Sequence, residues 1–137
     1  SRETVGGLVV LNSFTSIEEM AQRQYPLLPV RSLLRHPFRS EEKMARVACP
    51  VFIGNGADDA LIPPEMSARL ARAARTPVTR VEIAGLGHND LLHEAGDRLF
   101  DPLRRFTTQV ATGPRGPQAN HEHRAHAADS LDLIRRV

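Results

Sequence analysis

The sequence is poor in the residues that build disulfide frameworks and thiolate metal sites. It contains one cysteine, Cys49, and no tryptophan. A lone cysteine excludes an internal disulfide and any metal site with several cysteine ligands, and it fits a reducing, cytoplasmic compartment. No apolar run approaches the roughly 18 residues that a membrane-spanning helix needs. Whether the protein contacts a membrane stays open, because the sequence begins at Ser1 and we expect a further segment to precede it.

The sequence also lacks a large excess of positive or negative charges. The chain has 18 basic and 16 acidic residues, a net charge of +2, and the basic residues are scattered along it. Nucleic-acid binding needs a basic stripe or patch, so we expect no nucleic-acid partner. A length of 137 residues with 41% hydrophobic and 25% charged residues is typical of one globular domain.

Three short segments have the composition of β-strands, namely Gly7–Leu11, Val51–Gly54 and Val78–Ile83. The unbroken apolar run in the first predicts a strand covered on both faces. Pro63–Arg75 lies between the other two and has first-turn prolines and helical spacing of its apolar residues, while we expect its arginines to lie on solvated surface. Strand, helix and strand in this order predict a parallel crossover and an α/β fold.

The remaining segments predict helices and a tail. Thr15–Arg46 is expected to hold one or two short helices, interrupted by prolines. A second helical pattern follows His88 to about Val110, and Asp101-Pro102 is expected to restart or kink it.

The composition changes at Thr112, where large apolar side chains almost disappear. We therefore predict a domain over residues 1–111 and a disordered tail over residues 112–137. The tail contains His121, His123 and His126, a spacing that could hold zinc or nickel weakly. We expect no functional metal site there, since nothing in the tail would orient these ligands.

Two loops that follow the second and third predicted strands hold the residues with the most chemistry. The first contains Asp58 and Asp59, and the second contains His88. Because a crossover returns the chain to the same sheet edge, an acid and a histidine emerge there side by side. A carboxylate that accepts from one ring nitrogen leaves the other free as a general base. Taken alone, Asp59 is better explained as a residue that caps a turn, and an ordinary loop residue is the default interpretation of a lone histidine such as His88.

Four segments in a fixed order resemble the α/β-hydrolase superfamily, nearest to serine aminopeptidase-like and ABHD13/BEM46-like hydrolases. They are LNSFTSIEEMA, YPLLPVRSLLR, CPVFIGNGADDALIP and GLGHNDL, and the resemblance covers Gly7 to about Gln109. The resemblance implies a three-layer parallel sheet and a serine hydrolase that acts on an ester, amide or thioester of a small molecule. It further implies that Asp59 is the triad acid, with Asp58 as the second candidate, that His88 is the base, and that no cofactor or metal is needed.

The G-x-S-x-G nucleophile elbow of that superfamily is absent from the sequence. Family order places that serine before the first strand, so we expect this chain to be the C-terminal half of a hydrolase, inactive without its N-terminal half. The alternative is a hydrolase-derived fragment that binds a partner without catalysis. The candidates for a replacement nucleophile lack the required glycine frame and are not expected to act: Ser13, Ser16, Ser32, Ser40, Ser67 and Cys49.

Overall fold

The computed structural model describes residues 5–34 and 39–113, and the structural statements below concern these residues. Strands β1 (Leu8–Leu11), β2 (Val51–Gly56) and β3 (Val78–Ile83) form one parallel sheet in the order β1-β2-β3. The helices are α1 (Ile17–Gln24), α2 (Val30–Leu33), α3 (Ser40–Met44), α4 (Pro64–Ala73), α5 (Leu91–Glu94) and α6 (Asp97–Thr112).

Strand β2 lies in the middle of the sheet and separates two apolar clusters. Val51 and Ile53 pack on one face against Met44 of α3 and Leu70 of α4. Phe52 points to the other face and packs against side chains from the β3 end, α5 and α6, namely Ile83, Leu86, Leu91, Leu99 and Phe106. Alternate residues of a strand face opposite sides, so β2 is buried by a helical layer on each side. The described chain therefore has the three-layer α/β arrangement that the sequence predicts.

Strand β2 is two residues longer than its composition predicts. Asn55 and Gly56 still pair with Glu82 and Ile83 of β3, although neither has high strand propensity. Pairing with a long neighbour overrides propensity here. Consequently the acidic loop begins at Ala57, whose backbone N–H donates to the Ile83 carbonyl at 2.9 Å.

Strand β1 departs from its prediction in burial. The apolar run predicts cover on both faces, but in the described residues β1 pairs with β2 alone and Val9 is 41% exposed. The reason is that α4 and α6 pack over β2 and β3. An apolar run shows that a strand can be buried, and its position in the sheet decides whether it is.

The described residues between β1 and β2 form three short helices, α1 to α3, where the sequence predicts one or two. Ser16 caps the first of them, since its hydroxyl accepts the Glu19 backbone N–H at 3.1 Å. Helix α1 ends at Gln24, shortly before Pro26. The described residues contain no helix of the length and apolarity that crossing a membrane requires.

The long helical stretch after His88 divides at Gly96, and α6 continues through Asp101-Pro102, so the restart predicted there is wrong. Gly96 has φ 53° and ψ −138°, a conformation that glycine adopts without a steric penalty, and Pro102 lies inside α6. Helix α6 then continues through Thr112, which the sequence places in the tail. Residues 114–137, which contain the three tail histidines, lie outside the described part of the chain.

Arg69 of α4 has a side chain that is 38% exposed, and it joins α4 to the helices α1 and α3. Its Nη1 contacts both carboxylate oxygens of Glu19 in α1, at 2.8 and 2.7 Å. Its Nη2 and Nε contact Glu41 of α3 at 2.7 and 3.1 Å. Burial by itself raises the pKa of Glu19, but hydrogen bonds from Thr15 and Arg69 and the nearby positive charges outweigh it and hold that pKa below its usual value.

Candidate active site

Asp59 and His88 lie together at the carboxyl edge of the sheet. The His88 Nδ1 atom is 2.8 Å from the Asp59 Oδ2 atom. Asp59 follows β2 and His88 follows β3, and the parallel pairing of these two strands brings both loops to one edge. The structure thus brings together the two residues that the sequence indicates.

The Asp59 carboxylate is fully buried and has a separate task for each oxygen. Its Oδ1 atom accepts the backbone N–H groups of Leu61 and Ile62, at 3.0 and 2.7 Å. The Oδ2 atom is left for His88. Asp59 therefore closes a turn and also contacts the histidine, so the two interpretations considered for it are compatible with each other. Such bonding compensates the cost of removing a carboxylate from water.

The His88 ring extends from this buried contact towards the surface, and its side chain is 31% exposed. When Nδ1 donates to Asp59, the neutral ring carries its remaining lone pair on Nε2. That nitrogen can take a proton from a hydroxyl group placed beside it. The arrangement can therefore orient a histidine as a general base and stabilise the imidazolium that forms.

Gly56 allows the two loops to approach each other, a role that the sequence pattern does not reveal. A Cβ atom at this position would lie 2.2 Å from the Leu86 carbonyl oxygen, far inside van der Waals contact. The approach is held by the Asp58 backbone N–H, which donates to the same oxygen at 3.0 Å. Only the packing of the folded chain shows why glycine is required there.

Further contacts restrain the loop that carries His88. The Asp90 carboxylate accepts the Gly87 backbone N–H at 3.0 Å, within the loop itself. The side-chain amide of Asn12, the residue after β1, donates to the His88 backbone carbonyl at 2.7 Å. Sequence reasoning missed Asn12, because its contact joins residues 76 positions apart. The sequence feature that could have pointed to Asn12 is an asparagine at the end of a strand, because asparagine tolerates a positive φ there.

The second candidate for the acid and two of the candidate nucleophiles lie in surroundings unlike those of Asp59 and His88. Asp58 is exposed, unlike its neighbour. Ser67 is fully buried in α4, and Cys49 precedes β2 at the opposite sheet edge from His88. Burial raises the pKa of the Cys49 thiol, which disfavours the nucleophilic thiolate. Within the described ranges, no three histidine, cysteine, aspartate or glutamate side chains are grouped to hold a metal ion.

Sequence comparison finds relatives that are much longer than this chain. No family model matches the sequence. An uncharacterized protein of Mycobacterium tuberculosis, found in strains CDC 1551 and H37Rv, is 39% identical over 104 residues. The match covers 76% of this chain and 37% of the relative. The chain therefore spans little more than a third of the length of these relatives.

Solved structures that are similar to this chain include two enzymes. A thermophilic esterase from Thermogutta terrifontis has a TM-score of 0.56 at 18% identity, over 78% of this chain and 57% of the esterase. An α/β-hydrolase enzyme from lagoon sediments of Mar Chica, Morocco, has a TM-score of 0.53 at 19% identity, over 80% of this chain and 52% of that enzyme. The sheet and its helices thus have the architecture of part of an α/β-hydrolase fold.

Proposed function

We propose that Asp59 and His88 are the acid and base of a Ser-His-Asp triad in an acyl hydrolase. The observation that carries this is the 2.8 Å contact between His88 Nδ1 and the buried Asp59 Oδ2. In the reaction, His88 Nε2 takes the proton of a serine hydroxyl as that oxygen attacks the carbonyl carbon of a small ester, amide or thioester. Asp59 stabilises the imidazolium, which then protonates the leaving group.

The nucleophile is assigned to a segment outside these 137 residues. The sequence contains no G-x-S-x-G motif, and the serine aminopeptidase-like pattern that it resembles places that motif before the first strand present here. The oxyanion-hole donors are assigned to the same segment as the nucleophile. The 137-residue chain alone is therefore expected to be inactive, and joining it to its N-terminal half is expected to create activity without a metal or organic cofactor.

The test is ester hydrolysis by the chain joined to its nucleophile-bearing half, covalently or by complementation. His88→Ala and Asp59→Asn are each expected to lower kcat for a p-nitrophenyl ester by about 10³- to 10⁴-fold. Asp58→Asn is the matched control, since it removes an exposed carboxylate one residue away and is expected to leave kcat unchanged. Full activity in His88→Ala, or hydrolysis by the unjoined chain with a covalent inhibitor on Ser13 or Cys49, would refute the assignment.

The competing function is a hydrolase-derived module that binds a protein partner without catalysis. Large apolar side chains exposed around α2 favour it, namely Tyr25, Leu27, Leu28 and Leu33. Under this alternative the joined protein stays inactive towards esters, thioesters and amides, and His88→Ala changes nothing. Substitution of Leu27 and Leu33 by serine would instead weaken partner binding.

A further inference from the structure

Asn12 connects two parts of the site that are not neighbours in the sheet. It follows β1, whereas the His88 loop follows β3, and β2 lies between these strands. Its side-chain Nδ2 donates to the His88 carbonyl oxygen at 2.7 Å, and its backbone N–H donates to the Gly54 carbonyl of β2 at 2.9 Å. One residue thus fixes the His88 loop relative to both other strands.

The backbone of Asn12 has a conformation that is uncommon for residues other than glycine. Its φ of 45° lies in the left-handed region, and no other non-glycine residue of the described chain has a positive φ. Such conformations persist when the surrounding structure over-determines them, and they cluster at functional sites. In this conformation the side chain of Asn12 reaches the His88 carbonyl.

The orientation of the Asn12 amide follows from hydrogen-bond chemistry. The Oδ1 atom is buried and has no partner among the described residues. Exchanging oxygen and nitrogen would put Oδ1 at 2.7 Å from the His88 carbonyl oxygen, and two acceptors at that distance repel each other. The amide is therefore oriented with Nδ2 towards the His88 carbonyl, although this orientation leaves Oδ1 without a hydrogen bond.

We infer that Asn12 is a positioning residue for His88. The His88 loop contains Gly85, at φ 79°, and Gly87, so its backbone has few conformational limits of its own. By holding the His88 carbonyl, Asn12 keeps the ring where Nδ1 meets Asp59 Oδ2. Asn12 acts through His88, and its importance for catalysis rests on the proposed function.

The test uses side-chain NMR of the 137-residue chain and needs no enzymatic activity. In the unsubstituted chain, neutral His88 is expected as a single Nδ1–H tautomer with a slowly exchanging proton. Asn12→Asp keeps the shape and removes the donor, and Asn12→Gly removes the donor without adding charge. In both variants the Nδ1 proton is expected to exchange about fivefold to tenfold faster, and the Nε2–H tautomer is expected to appear.

Asn89→Asp is the matched control, because it places the same new charge beside His88 at an exposed position and leaves the Asn12 donor intact. It is expected to keep the Nδ1–H tautomer and the slow exchange. The inference fails if both Asn12 variants keep them as well, or if both lose the whole native spectrum and so show a general structural role. In the joined enzyme, His88→Ala with full activity would overturn the proposed function while leaving the tautomer result standing.

Discussion

At the scale of single residues, the two oxygens of one carboxylate explain how Asp59 is held. Oδ1 is fixed by the backbone of Leu61 and Ile62, so the carboxylate cannot rotate away when His88 moves. A carboxylate bound by the histidine alone would be free to turn towards solvent. The turn that follows β2 therefore pre-organises the acid before the base reaches it.

Asp59→Asn is expected to move the proton of His88 from Nδ1 to Nε2 and to lower the stability of the fold only slightly. The asparagine oxygen can still accept both backbone N–H groups, but its amide nitrogen would donate to Nδ1 and leave the proton on Nε2. We expect the Nε2–H tautomer in side-chain NMR and a loss of unfolding free energy of about 1 kcal/mol. Asp58→Asn should retain the Nδ1–H tautomer. An unchanged tautomer in Asp59→Asn would show that the carboxylate does not set it.

Gly56→Ala is expected to destabilise the fold more than Gly85→Ala does. At Gly56 the new Cβ would collide with the backbone oxygen of Leu86, whereas at Gly85 space is open and the cost is conformational, from φ 79°. We expect losses of about 3 kcal/mol and about 1 kcal/mol in urea denaturation. Equal losses would mean that the loops can separate at little cost.

At the scale of elements, helix α4 connects the sheet to the helical region. Leu70 packs against β2. Arg69 binds Glu19 of α1 and Glu41 of α3 through different nitrogens of its guanidinium group. A lysine could not bind both carboxylates in this way, because its ammonium group lacks the planar fork. Arg69 therefore links α1 to α3, and α3 is also held by Met44, which packs in the core.

Glu19→Gln is expected to reduce the loss of stability in acid. Since the folded-state pKa of Glu19 is lowered, its contribution is fully present above its unfolded pKa, near 4.3, and disappears as the pH falls through the folded value. Between pH 5 and pH 3 the unsubstituted chain should lose more unfolding free energy than Glu19→Gln. The control is Glu42→Gln, which breaks an exposed pair with Arg39 and should behave like the unsubstituted chain. Parallel pH curves for Glu19→Gln and the unsubstituted chain would contradict this.

The elements also show what sequence patterns can and cannot provide. The bounds of β3 follow from its composition, because Pro77 and Gly85 bracket its alternating residues. The division after α5 does not, since proline is the stronger general signal and the decisive feature is the positive φ of Gly96. Asp59 and His88 could be paired from topology, whereas Asn12 and Gly56 depend on the three-dimensional approach of loops.

At the scale of the whole molecule, β1 forms one edge of the described sheet. Its register with β2 runs from Leu8 opposite Val51 to Leu11 opposite Gly54, and its apolar side chains are incompletely covered. An unpaired strand edge offers backbone donors and acceptors to another chain. No strand of the described residues pairs with this edge of β1.

The 137-residue chain is expected to self-associate, and Val9→Lys is expected to reduce the association. A charge on an edge strand opposes pairing with a second strand. The control is Phe100→Lys in α6, where a side chain with 40% exposure is replaced by the same charge away from the edge. Size-exclusion chromatography over a range of concentrations measures the effect. A chain that is monomeric at every concentration, with strong hydrogen-exchange protection at Val9 and Val10, would contradict it.

The β2-α4-β3 crossover also affects the order in which the site assembles. Asp59 and His88 are 29 residues apart, so their contact closes a short loop within one local unit, whereas the Asn12 contact closes a loop of 76 residues. Loop-closure entropy makes the longer contact costlier by about 0.9 kcal/mol. We therefore expect the acid and base to meet as the crossover folds, and β1 with Asn12 to dock onto a pair that already exists. The contact between Asp59 and His88 would then form early within a local unit. The contact from Asn12 that restrains the His88 loop would form in a later folding step.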